Sequence, residues 1–408
     1  MAKPKALKKD FIVDGLEYGT VLLSKGSIAE GMKVMDKVDD QLSRYELQAK
    51  TQAAKELVSI MSSEANTPYR GYAYDGIMLN GYKALAFLRL SNVDNCRVEL
   101  NRAVKRQTDA VEISRQRIEA VKKKMEEAKD KERAEKAARD PKVQGQLEKE
   151  YSFLDTLKVY GDYENPFVVY LDGLFFMAHS VGPADMERAR KSFERASQFA
   201  ADNPYVKQDL AAMEAAASGT PIPPTTFVIF ESGSAISLKE RKILIPTFVG
   251  SGAVPAAFPV PSRSDDYVRS LSITAADKVE KTQLLASMDS VIGLEFKKEL
   301  PGIIRRTIMS TLAKAGIDFG ASQVPYLNIL SGAFIHGSTR ADCRSWYTLP
   351  KEIQVCRVPT PEDRKLQIAP ADGGAPIMVQ VEPGHFNILH VRSVTSKAPL
   401  TITQITLK

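Results

Sequence analysis

The chain has 408 residues, which suggests two or three domains, and 44% of them are hydrophobic, enough to build sizeable cores. Its formal net charge of +6 is small for this length and its acidic and basic residues are mixed, which argues against a nucleic-acid-binding protein. No run of 18 apolar residues occurs, so the sequence predicts no membrane span.

The N-terminal ten residues are basic, but no apolar stretch follows them, so they do not have the pattern of a secretory signal. The first cysteine is Cys96, and the start of the sequence therefore offers no cysteine for a lipid anchor. Two interpretations stay open: a cytoplasmic protein, or an exported protein whose leader is missing from this sequence.

Three helix-turn-helix units are predicted in the first half, over Phe11–Arg44, Tyr72–Arg106 and Asn165–Ala201. The tetrapeptide at 165–168 recurs in similar form 38 positions later, near the 34-residue period of tetratricopeptide repeats. Such repeats stack because none can bury its apolar face alone, and the stack presents a groove to partners. The sequence therefore predicts tetratricopeptide-like helical repeats that bind a protein.

The third unit has the clearest packing pattern. Asn165 can cap its first helix, and Pro166 suits the first turn. Apolar residues at helical spacing on that helix are expected to meet a small-then-large pair on the next one. The predicted repeat-packing residues are Phe167, Leu171, Phe175, Ala189 and Phe193.

Residues 105–150 are rich in Lys, Arg, Glu and Gln and have few apolar positions. Opposite charges recur at helical distance, as at Glu119 and Lys123, which favours a solvated helix. We predict a long projecting helix that is partly coiled-coil-like, with disorder beyond about Lys131 as the alternative.

A linker is predicted at residues 219–224, and after it the apolar residues alternate. Short alternating segments separated by Gly, Pro, Asp and Ser are typical of a β sandwich or barrel. The predicted strands are Thr226–Glu231, Lys242–Ile245, Val268–Ile273, Pro325–Leu330, Arg344–Tyr347, Ile353–Val358, Lys365–Ile368, Pro376–Val381, Asn387–Arg392 and Leu400–Leu407.

A helical insertion is predicted over 275–316, with Pro301 separating two helices because proline does not fit a helix interior. Its second half carries an apolar stripe, and the basic residues that lie off that stripe are Lys297, Lys298, Arg305, Arg306 and Lys314. The pattern favours a helix packed on the sheet. A basic amphipathic helix on a membrane or a partner is the alternative.

The predicted fold class is multidomain α + β, with N-terminal tetratricopeptide-like repeats, a long projecting helix, and a C-terminal, mainly antiparallel, sandwich-like domain with a helical insertion. The predicted segments are 1–104 for repeat units 1 and 2, 105–150 for the projection, 151–218 for unit 3 and a capping helix, 219–224 for the linker, and 225–408 for the β-rich domain with the insertion at 275–316.

Two cysteines flank a predicted hairpin. The strands Arg344–Tyr347 and Ile353–Arg357 surround Pro350, which would place Cys343 and Cys356 opposite each other. They form a candidate disulfide, since such a bond needs Cα atoms within about 7 Å. Two buried free thiols are the alternative.

A structural clamp is predicted around the single tryptophan, Trp346, which is expected to anchor a core. Asp342 and Arg344 would share its face of the strand. Arg344 is therefore expected to pair with Asp342 and to stack on the indole ring.

The sequence contains no recognisable catalytic motif. The four histidines have no metal-binding spacing, and no C-x-x-C pair, phosphate-binding loop or G-x-S-x-G elbow occurs. We therefore predict no catalytic, cofactor-binding or metal-binding residues and no cofactor.

The segment Asp342–Pro350 has the pattern D-x-R-S-W-x-x-L-P. It resembles a segment near the end of a family of poorly characterised bacterial envelope lipoproteins with tetratricopeptide-like repeats. Residues 165–174 and 300–307 are similar to that family's repeat and helical insertion. The resemblance implies an envelope location, and the family's genes often lie near those of lipoproteins that activate cell-wall synthases. Family members begin with an export signal and a lipid-bearing cysteine, which this sequence lacks.

We therefore expect a non-enzymatic scaffold or adaptor on the periplasmic side of the bacterial cell envelope, with a lipid anchor in the native full-length form as an option. It would bind protein partners through its helical repeats, in envelope or cell-wall assembly. Two alternatives stay open. One is a carbohydrate- or peptidoglycan-binding accessory, or a hydrolase with an unrecognised site in the β-rich domain, which turnover lost on changing His336 or Asp342 would favour. The other is a cytoplasmic adaptor.

Overall fold

The computed structural model describes residues 9–50, 67–127, 131–247, 252–321 and 340–408. Helices dominate the first half of the chain and strands the second, in a multidomain α + β arrangement. The predicted strand at 325–330 and His336 lie outside the described residues. The helices are α1 (Phe11–Ser24), α2 (Ile28–Lys50), α3 (Ala73–Arg89), α4 (Val93–Glu126), α5 (Lys131–Ala138), α6 (Pro141–Tyr151), α7 (Pro166–His179), α8 (Pro183–Phe199), α9 (Pro204–Ala217) and α10 (Met288–Ala321). The strands are β1 (Thr225–Ser232), β2 (Ser237–Pro246), β3 (Ala253–Ser262), β4 (Leu271–Ala275), β5 (Lys278–Lys281), β6 (Gln283–Ser287), β7 (Glu352–Pro359), β8 (Lys365–Pro370), β9 (Ile377–Gln380), β10 (Phe386–Ser393) and β11 (Thr401–Thr406).

The predicted helix-turn-helix units correspond to three packed helix pairs. Helix α1 packs against α2, α3 against α4, and α7 against α8, while α9 continues from α8. The two related tetrapeptides start α7 and α9 with the same cap. The Asn165 side chain accepts hydrogen bonds from the backbone N–H groups two and three residues later, and Asn203 does the same. The recurring tetrapeptide is therefore a repeated helix start. Each time, its asparagine accepts from two backbone N–H groups that have no partner within the helix.

The five predicted repeat-packing residues are all fully buried in the core. The Phe193 ring packs at an edge against Tyr170, with ring centroids 5.6 Å apart. It also lies where a Cβ on Gly173 would come within 2.9 Å of its ring. Glycine on α7 therefore allows the close approach of α8 that the small-then-large spacing predicts.

One apolar core runs from α1 to β11, so the helix pairs and the main sheet bury their faces against each other. The segment between α9 and β1 is tied to this core. Ile222 packs against it, and the Ile222 carbonyl contacts His385 Nε2 at 2.7 Å. The Thr360 N–H donates to the Pro224 carbonyl.

The main sheet has five strands in the order β11-β10-β1-β7-β6. Strand β1 is central, buried along its whole length, parallel to β10 and antiparallel to β7. A second sheet has the order β5-β4-β8-β9, and β2 pairs with β3 alone. The strand pairs are antiparallel except for β1 with β10, among the described residues.

Strand β3 was missed because it contains Pro255, Pro259 and Pro261. It pairs only with β2, and its three prolines occupy alternate positions that face the same way along the strand. Proline has no N–H, so it is tolerated at an edge where that group has no ladder partner.

The predicted helical insertion at 275–316 is wrong at its start and at its centre. Strands β5 and β6 occupy its first residues, after a turn in which Ala276 has a positive φ of 50°. Helix α10 then runs through Pro301 without a break. It packs against α5 and β3, and this tertiary packing holds the helix although proline removes one backbone hydrogen bond.

The predicted projection at 105–150 is also wrong, because this segment folds back. Helix α5 packs against α10, and α6 packs against β2 and β3. A second apolar core forms there, to which the segment contributes Val121, Met125, Val143 and Leu147. These four apolar residues thus form a buried face, and the charged residues of the segment cover its outside.

The predicted hairpin between Cys343 and Cys356 does not form. Arg344–Tyr347 is not a strand but an irregular segment that runs across the helices. Cys356 lies in β7 opposite Val228, while Cys343 packs at the edge of the second core. Both are free thiols, and so is Cys96. Burial raises the pKa of Cys356 to about 12 and that of Cys343 to about 11, which keeps both protonated at neutral pH.

Candidate functional site

Arg344 joins the irregular segment before β7 to the N-terminal helices. Its guanidinium donates to both oxygens of Asp342, at 2.8 and 2.6 Å, which is the predicted pairing. It also donates to Asp10 at 2.9 Å and to the Thr67 carbonyl at 2.8 Å, and it lies 5.4 Å from the Tyr69 ring centre. A bidentate arginine of this kind fixes its surroundings in one geometry.

Trp346 is buried, as predicted for a core anchor, but Arg344 stacks on Tyr69 and not on the indole. The indole N–H donates to Thr348 at 2.8 Å and contacts Thr20 at 3.2 Å, and Tyr82 packs at an edge against the ring. The predicted stacking is wrong because these residues are not a strand, so alternate residues do not share a face.

Beside Arg344 lies a groove with a volume of about 430 Å³, which we call the basic groove. Its walls come from the end of α2, residues 67–72, the C-terminal end of α4 and the middle of α10. Asp342 and Arg344 line one edge, so two of the three predicted clamp residues belong to it. A cleft of this size is within the range of ligand-binding sites in proteins.

Basic side chains dominate the lining of the groove. Lys122 and Arg305 are exposed at its surface. Arg117 lies deeper, where it donates to Glu299 at 3.0 Å and to the Gly71 carbonyl at 3.3 Å. The basic lining residues are Arg70, Arg117, Lys122, Lys298, Arg305, Arg306 and Arg344, against the acidic Glu299 and Asp342. Charges of one sign in a cleft attract ligands of the opposite sign.

Aromatic and apolar side chains form the rest of the lining. Tyr69 and Tyr72 pack edge to face with ring centres 6.1 Å apart, and Arg70 lies 5.2 Å from the ring centre of Tyr45. Apolar residues of α4 and α10 complete the lining, among them the half-buried Ile118 and the exposed Pro301. Tyrosine, arginine and apolar side chains in one patch are typical of the centre of a protein interface.

Two buried carboxyl groups hold the start of α3, and with it the tyrosines. Glu295 accepts from the N–H groups of Ala73 and Tyr74, at 2.6 and 3.2 Å. Asp75 accepts from the Tyr69 hydroxyl at 2.5 Å. Burial raises the pKa of Glu295 to about 8 and that of Asp75 to about 7. Helix α10 and α3 are therefore joined by a group that titrates near neutral pH.

Sequence patterns alone did not find this groove, because its basic residues come from four distant segments. The basic off-stripe residues of α10 were the one available signal, and three of the five, Lys298, Arg305 and Arg306, line the groove. Two other basic residues of the groove, Arg70 and Arg117, lie in segments that contain no motif. Only the packing of α10 beside α4 brings them together.

Within the described ranges, no helix has the length and apolar character needed to cross a bilayer. In the same part of the chain, no group of three or more His, Cys, Asp or Glu side chains is placed to hold a metal ion. Comparisons with protein-family models, curated proteins and solved structures gave no match.

Proposed function

We propose that this protein is a non-enzymatic scaffold whose basic groove binds an acidic segment of a partner protein. The observation that carries the proposal is the lining of the groove, in which seven basic side chains stand against two acidic ones around tyrosines. Opposite charge steers such a partner into the groove and selects against basic ones. The apolar and aromatic lining supplies the area that a bound side chain can bury.

The helical repeats support a protein as the occupant. Two of the groove's walls are the C-terminal ends of α2 and α4, the second helices of the first two helix pairs. We propose that these pairs are tetratricopeptide-like repeats, which commonly present binding surfaces of this kind. The half-buried Ile118 and the exposed Pro301 in the lining favour a peptide with apolar side chains over a purely ionic ligand.

The cellular setting of the proposal comes from the resemblance of the Asp342–Pro350 segment to envelope lipoproteins. We propose a place on the periplasmic side of the bacterial envelope, in envelope or cell-wall assembly. Fractionation of the bacterium that carries the native gene tests this part separately. Recovery in the cytoplasm would leave the groove proposal standing and move it to a cytoplasmic adaptor.

The groove is tested by fluorescence anisotropy with a labelled peptide of alternating glutamate and leucine. We expect saturable binding that weakens as salt rises from about 0.05 to 0.5 M, because added ions screen exposed charges. The double variant Lys122→Glu/Arg305→Glu should bind at least about tenfold more weakly, since it reverses two exposed charges at the groove.

The matched control is Lys142→Glu/Lys207→Glu, which changes the net charge equally at exposed positions away from the groove. It should bind within about twofold of the unchanged protein, since distant surface charges are screened. Equal losses in both double variants would mean that total charge, and not the groove, binds the peptide. Tighter binding of a single-stranded oligonucleotide, lost in the groove variant, would replace the protein partner with a nucleic acid.

A further inference from the structure

A second cavity of about 420 Å³ lies between the helices and the main sheet, and it shares no lining residue with the basic groove. We call it the sheet pocket. Its walls are the end of α1 with the turn into α2, one face of α3, and the side chains of β10 and β11 that face them. It therefore sits where the helical half packs on the β-rich half.

Most of the wall is apolar. Val21 and Leu23 of α1, Leu85 of α3 and Ile405 of β11 contribute to it. These side chains can cover the body of an apolar ligand, and their burial would favour binding in proportion to the area covered.

One end of the pocket is polar and is built around Glu231. This residue stands on the central strand β1 and is 3% exposed. Its Oε1 lies 3.3 Å from His390 Nε2. Arg392 Nε lies 3.8 Å from Oε2, while its terminal nitrogens donate to backbone carbonyls, including that of Gly233 at 2.6 Å. The arginine is thus held by the backbone beside the carboxylate.

Three polar atoms at this end have hydrogen-bonding capacity left over. Glu231 Oε1, His390 Nε2 and the Tyr82 hydroxyl are buried and form no hydrogen bond of normal geometry with the described residues. All three residues line the pocket. Burial opposes ionisation of Glu231, but His390, Arg392 and the neighbouring Tyr82 hydroxyl outweigh it and lower its pKa below the ordinary value. A buried carboxylate with an unsatisfied oxygen is costly, so a group that donates to it would be stabilised there.

We propose that the sheet pocket binds a neutral amphipathic alcohol, with its hydroxyl at Glu231 and its apolar body along α1 and α3. The hydroxyl is the group that matches this end, because it can donate to Glu231 Oε1 and accept from Tyr82 or His390 at once. An ammonium group cannot accept, and a carboxylate cannot donate. An ether can accept but leaves Glu231 unsatisfied.

Calorimetric titration with four probes of one chain length tests the headgroup: 1-octanol, 1-methoxyoctane, octylammonium and octanoate. We expect 1-octanol to bind most tightly, and the ether at least about tenfold more weakly, since a polar site discriminates strongly against a missing donor. Lys25 and Arg89 lie at the mouth of the pocket and would favour octanoate if the rim, and not Glu231, set the affinity. Tightest binding of octanoate or octylammonium overturns the proposal.

Two variants locate the binding. Thr403→Trp places a large side chain into the pocket from the edge strand β11, where Thr403 is half-buried. It should abolish binding of 1-octanol. Tyr82→Phe removes one of the three polar atoms and should weaken binding about fivefold or more. Tyr18→Phe, at an exposed tyrosine of α1 outside the pocket, is the control and should bind like the unchanged protein.

Unchanged 1-octanol binding in Thr403→Trp would overturn the proposal, and so would the absence of binding by the unchanged protein. Because Tyr82 is buried beside Trp346, Tyr82→Phe is compared only where its circular dichroism spectrum matches that of the unchanged protein. If the spectrum of Tyr82→Phe differs, the result with Thr403→Trp alone decides whether 1-octanol binds in the sheet pocket.

Discussion

Replacing Lys83 with methionine tests how the first two helix pairs are joined. Lys83 lies on α3 with its side chain 2% exposed. Its ammonium group contacts Asp39 at 2.8 Å, Asp36 at 2.9 Å and Glu99 at 2.9 Å, which come from α2 and α4. Methionine has a similar length and can fill the space, so the change removes the charge more than the volume.

The size of the effect follows from what remains around the two buried carboxylates. Removing one partner of a buried ion pair costs about 3–5 kcal/mol, because it leaves an uncompensated charge. Here Arg106 still contacts Asp39 at 2.7 Å, and Asn80 still donates to Glu99 at 2.6 Å. We therefore expect Lys83→Met to lower the free energy of unfolding by about 2–3 kcal/mol.

Urea unfolding followed by circular dichroism measures this loss, with Lys33→Met on the exposed face of α2 as the control.

A second signature is the pH dependence. Burial raises the pKa of Asp39, but Arg106 and Lys83 outweigh it and leave the pKa below the ordinary value of 3.8. Such a group stabilises the fold above about pH 3.8, and this contribution is lost as the pH falls through the lowered pKa. Lys83→Met should make the acid-induced loss smaller. A cost below about 1 kcal/mol, or one equal to that of Lys33→Met, would refute the reasoning.

Two further predictions concern the carboxyl group beneath the basic groove and the repeated helix caps. Burial raises the pKa of Glu295 from 4.5 to about 8 in the folded chain. Between these pH values the folded chain holds a proton that the unfolded chain releases, so the free energy of unfolding should fall as the pH rises. Glu295→Gln should flatten this slope in thermal melts, and an unchanged slope would contradict the assignment. Asn165→Ala and Asn203→Ala should each cost about 1 kcal/mol in urea unfolding, because both caps satisfy two donors. A large cost at only one of them would show that the two caps are not equivalent.

Local patterns in the sequence were reliable where a short segment decides its own structure. The cap at Asn165, the buried face around Phe167 and the small-then-large pair ending at Phe193 all appear in the structure. Eight of the ten predicted strands coincide at least in part with observed ones, because alternation marks a strand with one buried face. Patterns failed where packing against another segment decides the structure. Strand β3 forms although it contains three prolines, and α10 continues through Pro301.

The candidate site shows the same division. The pairing of Asp342 with Arg344 is local, two residues apart, and the sequence predicted it. The groove that these residues border depends on α10 lying beside α4, and the pocket at Glu231 depends on α3 lying over the main sheet.

The sequence by itself determined the helix pairs, most strands and the residues that their own spacing buries, since turns, caps and apolar periodicity act over a few residues. Tertiary structure alone decided that 105–150 folds back, that Cys343 and Cys356 lie in different surroundings, and that scattered basic residues share one groove. The physical reason is that covering an apolar face lowers the free energy of the folded chain whichever segment covers it. No local pattern specifies which segment that is.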